Sequence, residues 1–182
     1  MYLWKLALAV LPSTFHTALS QHIVDLGGDG WTVSSKALNV SAPGRLPSQV
    51  HLDLYAANII DDPYLGLNDF NLRWIANNNW TYISAPLKGL SGNATSSWLV
   101  FNGLDTFTTI EFCGQLIGTT DNQFRQYTFD ISEALSSCQG DPTLEINFGS
   151  APNIANAIAN DPNSESTSQI IACQIHNLTR LF

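Results

Sequence analysis

The sequence predicts an all-β chain, an antiparallel jelly-roll β-sandwich with one or two short helices, and three observations carry that prediction. Runs rich in aromatic and β-branched residues recur at Trp80–Ser84, Trp98–Phe101, 106–112, 126–131 and 143–148. Within them apolar and polar side chains alternate, as Tyr127, Phe129 and Ile131 do against Thr128 and Asp130. Gly, Asn and Pro separate the runs, with no βαβ alternation and no internal repeat, which favours a sandwich over a doubly wound sheet.

Taken in order, residues 1–20 have the pattern of a signal peptide. Lys5 gives the charged start, residues 6–12 the apolar run, and Ala18 and Ser20 the small residues before a cleavage expected ahead of Gln21. Ser13, Thr14, His16 and Thr17 interrupt the apolar run, so a membrane anchor is disfavoured and secretion is expected. Short strands are expected at 31–33 and 38–40, followed by turn chemistry at Ala42-Pro43-Gly44 and Leu46-Pro47. Residues 51–60 carry apolar side chains at helical steps, with Ser48 as a candidate N-cap and Asp62-Pro63 as the stop. Past Trp80 the strands follow one another. Residues 116–119 are the expected return arm of a hairpin with 106–112, and 131–135 make one helical turn capped by Asp130.

The chain has 182 residues, with 15 acidic against seven basic side chains and a net charge of -8. That balance repels phosphate backbones and anionic bilayers, so neither nucleic acid nor membrane is an expected partner; a neutral glycan is compatible with it. Charged residues make up only 12%, the polar surface being supplied by Asn, Ser, Thr, Gly and Gln. Asn39, Asn79, Asn93 and Asn177 each begin an Asn-x-Ser/Thr sequon, so all four are candidate N-glycosylation sites. Of the three cysteines, Cys113 and Cys138 are the expected disulfide, read as a bridge between neighbouring strands, leaving Cys173 over.

Catalytic chemistry is harder to find. A glycosidase needs two carboxylates about 5–10 Å apart. Asp53, Asp61, Asp62, Asp69, Asp105, Glu111, Asp121, Asp130 and Glu133 are present, but none has a context that marks it. His16, His22, His51 and His176 do not fall at metal-ligand spacing, and there is neither a nucleophile elbow nor a phosphate-binding glycine loop. No catalytic residue, cofactor or metal is therefore expected in this chain. Aromatic side chains could stack on a sugar ring, and Trp74 and Trp80, in the loop-like stretch before a strand, are the candidates for that role.

Three stretches together resemble the secreted fungal β-mannosidases of glycoside hydrolase family 2. They are VHLDLYAANIIDDPYLGLND at 50–69 running into FNLRWIANNNWTY at 70–82, WLVFNGLDTFTTIEFCGQLIGTTDNQFRQYTFDIS at 98–132, and INFGSAPNIANAIANDP at 146–162. The resemblance implies a galactose-binding-like jelly roll spanning 21–162, often called the sugar-binding domain. It also implies a parent activity, retaining hydrolysis of terminal non-reducing β-D-mannose in β-mannosides. It places both catalytic glutamates in a barrel domain that no residue here matches, so that barrel is an implied partner and this chain alone is expected to be inactive. The family's Trp-Asp-Trp-Gly loop is expected soon after Pro162; residues 163–182 read instead NSESTSQIIACQIHNLTRLF. They are expected to form a divergent, disordered tail, and the sandwich to be incomplete and to expose apolar surface.

Overall fold

The computed structural model describes residues 22–90 and 96–162. The expected signal peptide at 1–20, the sequons at Asn93 and Asn177, Cys173 and the tail at 163–182 lie outside the described residues. Eight strands and four short helices follow one another: β1 (Gly28–Ser35), β2 (Val40–Leu46), α1 (Val50–Ala56), α2 (Asn68–Asn71), β3 (Trp80–Ser84), β4 (Trp98–Phe101), β5 (Thr108–Phe112), β6 (Gln115–Thr120), β7 (Tyr127–Asp130), α3 (Ser132–Ser137), β8 (Leu144–Phe148) and α4 (Ala151–Ala159). A six-stranded sheet has the order β2-β1-β3-β8-β5-β6, and β4 pairs with β7 in a second, two-stranded sheet. Every pairing is antiparallel.

Register places the core on one face of the large sheet. Ala42, Val33, Tyr82, Ile146, Ile110 and Gly118 form one continuous cross-strand row. Trp31 and Ser84 pair on one side of that row, and Trp80, Phe148 and Thr108 align on the other. Because side chains alternate with a period of two, one register decision buries all of these residues together. Thr32, Thr81, Glu145, Asn147 and Thr109 point the other way and give the sheet a polar outer face. The small sheet closes over the core through Leu99 and Phe129, partners across the ladder. A Cβ on Gly118 would collide with the Phe129 ring, so the two sheets meet at this glycine because it has no side chain.

Several elements depart from expectation. Pro43 and Gly44 lie inside β2 rather than in a turn. β2 is an outer strand, where a residue without an N–H is tolerated because half of the ladder is unpaired. Gly44 faces the Tyr82 ring, and a Cβ there would stand 3.2 Å from it. At the opposite border the ladder steps from Ile110↔Gly118 to Glu111↔Leu116, leaving Ile117 as the extra residue of a bulge in β6.

Helix α1 ends at Ala56, before residue 60, because Asn58 takes a left-handed conformation at φ 56°. Its N-cap is Gln49, and Ser48 turns its hydroxyl onto Asp53 instead. Four short helices are found among the described residues, where one or two were expected. The added ones are the single turn α2 and α4, whose N-cap Ser150 accepts from the Asn153 N–H, with Pro152 in the first turn. The N-cap of α3 is Ile131 rather than Asp130, which sits one residue earlier and accepts hydrogen bonds from the Ser132 N–H and hydroxyl.

Cys113 and Cys138 form a disulfide with a Cα–Cα distance of 5.7 Å. It joins the β5–β6 turn to the C-terminal end of α3 rather than two neighbouring strands. Cys113 and Gly114 both have positive φ, 51° and 72°, the backbone of a two-residue hairpin turn matched to sheet twist.

Candidate functional site

The buried polar centre of the fold is Asp53. Helix α1 carries it into the interior beside Leu54. There its Oδ1 accepts from the Ser48 hydroxyl at 2.8 Å and its Oδ2 from the Tyr82 hydroxyl at 2.6 Å. Burial, and then the hydrogen bond and the negative charge of Asp53, push the Tyr82 phenol far above its usual range, so it stays a donor. His51, two residues before Asp53 in the same helix, is half-buried, and burial lowers its pKa below the usual 6.5. Asp53 is thus a strut between α1 and β3, closed off from solvent.

The Tyr82→Phe variant tests this strut. Removing one hydrogen bond to a buried carboxylate costs about 2 kcal/mol, read as a lower urea midpoint with an unchanged m-value. A pH effect accompanies it. In the unfolded chain the phenol ionises near 10, while in the folded chain it stays protonated, so wild-type stability falls as pH rises above about 10. That part of the fall is absent in the variant. An unchanged midpoint would mean the carboxylate is satisfied by other donors.

The other carboxylates are dispersed. Asp61, Asp69, Asp105 and Glu133 are exposed, Asp62 accepts from the Tyr64 N–H at the edge of a turn, and Asp121 accepts from the Tyr127 hydroxyl. Glu111 and Glu145 stand directly opposite each other on the outer face of the large sheet, with Glu145 accepting from the Asn147 amide. Neither lines a groove. Among the described residues no group of three or more His, Cys, Asp or Glu could hold a metal ion, and no helix is long and apolar enough to cross a membrane.

The aromatic candidates are redistributed. Trp80 is a core residue, 4% exposed, with its indole N–H donating to the Ile75 carbonyl, and it cannot offer a face to a sugar. Trp74 is half-buried, its ring 6.4 Å from that of Trp80. Among the described residues Trp98 is the exposed indole, at 57%. It projects from the outer side of β4 because its neighbour Leu99 takes the inner side, and its ladder partner is Asp130. The hydrogen bonds from Ser132 hold the Asp130 carboxyl below its usual range, so it is an ionised acceptor beside the indole. Sequence position could not single out Trp98, because which face of a strand is outward is decided by its partner strand.

Two surface grooves stand out among the described residues. One of about 410 Å³ lies beside the disulfide, lined by Cys138, Asp141 and Thr143 among others. The other, of about 650 Å³, runs along the connection between α1 and α2, where Tyr55, Leu65 and Leu67 line it together with Asp61 and Asp62. Neither gathers a nucleophile, a base and a polarising donor.

An antiparallel sandwich with an apolar interior and dispersed carboxylates has the architecture of a jelly-roll domain. A family model described as "Glycosyl hydrolase 2 galactose-binding domain-like" matches residues 31–180, and the chain belongs to that family. The match runs past Pro162, where the motif resemblance ends. β-Mannosidase A of Aspergillus niger is 64% identical over 160 residues, which make up 88% of this chain and 17% of that protein. β-Mannosidase A of Emericella nidulans is 52% identical over 169 residues, 93% of this chain and 18% of the relative. Among solved structures, the β-D-mannosidase of Dictyoglomus thermophilum superposes with a TM-score of 0.71 at 28% identity, covering 79% of this chain and 17% of that one. The chain therefore spans about a sixth of the length of the relatives it matches, and corresponds to their amino-terminal region.

Proposed function

We propose that this chain serves as the amino-terminal, non-catalytic domain of a secreted β-mannosidase that removes terminal non-reducing β-D-mannose from β-mannosides. The observation that carries the proposal is the 64% identity over 160 residues with the Aspergillus niger enzyme. The dispersed carboxylates support a role without bond cleavage, since hydrolysis needs a positioned pair. The secretory route is supported by the pattern at 1–20 and by sequons compatible with modification. Asn39 is exposed in the β1–β2 turn. Asn79 is exposed and uses only its Oδ1, which accepts from the Ser150 N–H, so a glycan on its nitrogen would leave that bond intact.

A chimera tests the reading. The matching segment of the Aspergillus niger enzyme is replaced by this chain, and release of p-nitrophenol from p-nitrophenyl β-D-mannoside is measured. The chimera is expected to turn over and the 182-residue chain alone is not; a folded but inactive chimera would count against the assignment.

A second reading, a free-standing carbohydrate-binding module, is favoured by the Trp98–Asp130 face. Under it, mannobiose quenches the fluorescence of the isolated chain, and Trp98→Ala removes the quench. No change on titration would leave the first reading alone.

A further inference from the structure

We infer that the α1–α2 connection is a preformed docking surface for the remainder of the full-length glycosidase polypeptide, an inference that rests on the reading above. Tyr64, Leu65, Leu67 and Phe70 are exposed at 70%, 68%, 75% and 61%, within seven consecutive residues. Side chains of this size present on the order of 500 Å² of apolar surface, the scale at which a patch marks an interaction site. Leu65 and Leu67 belong to the 650 Å³ groove shared with Tyr55, so the exposed residues border a concave surface.

The segment is built to hold these side chains outward. The Tyr64 N–H donates to Asp62 Oδ1, the Leu65 N–H to the Asp62 carbonyl, and the Asn68 side-chain amide to that carbonyl at 2.8 Å. Gly66 adopts φ +63°, which turns the chain between the two leucines. The Arg73 guanidinium lies 4.7 Å from the Phe70 ring centre, so a cation caps one end. A loop held in one conformation has already met the ordering cost of association. Its apolar side chains have no place in the core, which is filled by Leu54, Ile75 and Trp80.

The occupant follows from length. The relatives matched are more than five times longer than the segment they share with this chain, so such a domain meets a large covalently linked neighbour at high effective concentration. The acidic rim of Asp61 and Asp62 calls for an apolar surface flanked by lysine or arginine.

Hydrogen exchange compares the chimera described above with the 182-residue chain. Backbone amides of 59–71 are expected to exchange at least about ten-fold more slowly in the chimera. The double variant Leu65→Ser/Leu67→Ser is expected to abolish that protection while leaving the melting temperature of the isolated chain unchanged. Val100→Ser, on β4 and outside the groove, should leave the protection intact. Equal exchange in chimera and isolated chain overturns the inference. So does concentration-dependent protection in the isolated chain, which would assign the groove to a second copy. The exchange readout stands whether or not the chimera is active: an active chimera with an unprotected groove overturns docking alone. An inactive chimera with a protected groove overturns the functional assignment alone.

Discussion

Replacing Phe112 by alanine is expected to lower the unfolding free energy by about 3–5 kcal/mol. Phe112 closes β5, has no solvent exposure, and faces Leu144 across the ladder with β8. The strands on both sides of it are tied by backbone ladders, so the surroundings cannot collapse into the space the ring leaves. The cost therefore combines lost transfer free energy with a cavity. Urea unfolding of the oxidised protein measures it as a lower midpoint at constant m-value. A loss below about 1.5 kcal/mol would mean that the hairpin end repacks freely.

Removing the neighbouring disulfide, as Cys113→Ala/Cys138→Ala, is expected to cost about 3 kcal/mol by a different route. The bridge spans 25 positions. In its absence the native turn is still pinned by the Cys113 N–H, which donates to the Thr143 carbonyl at 2.9 Å. The folded state should thus survive with its hairpin in place, and the loss should come chiefly from a less restricted unfolded chain. That predicts a larger m-value in the variant as well as a lower midpoint, a signature the Phe112 variant lacks. If both variants shifted the midpoint with identical m-values, the entropic account would fail. Combining them should give less than the sum, since Phe112 and Cys113 share the hairpin end.

The parts of this fold written in local pattern were readable from sequence. Strands β3, β5, β7 and β8 announce themselves because each alternates against a single buried face, and the Cys113-Gly114 turn follows from its residues. β2 was not readable: Pro43-Gly44 is turn chemistry unless the strand is known to be an outer one, and strand order is a long-range property. Helix α4 carried a local signal, Ser150 ahead of Pro152, masked by a run of asparagine and alanine without charge pattern. The end of α1 was set by Asn58 rather than by the more conspicuous Asp62-Pro63.

The aromatic site was the least legible. Trp74, Trp80 and Trp98 have similar neighbours along the chain, and only the packing of Ile75 and Leu99 decides which indole is inside. Asp53, which the sequence offers as one helix carboxylate among several, becomes the polar strut of the core only when β3 brings Tyr82 to it.

The two borders of the large sheet bear on how such a domain behaves when many copies are crowded together. Pro43 interrupts the free row of donors on β2, and the bulge at Ile117 bends β6 out of line. A foreign strand therefore finds no straight ladder to extend on either side, and fibril-like stacking of copies is discouraged from the outset. The domain is left to meet its neighbours through side chains, at surfaces that can tell one partner from another, rather than through backbone, which cannot.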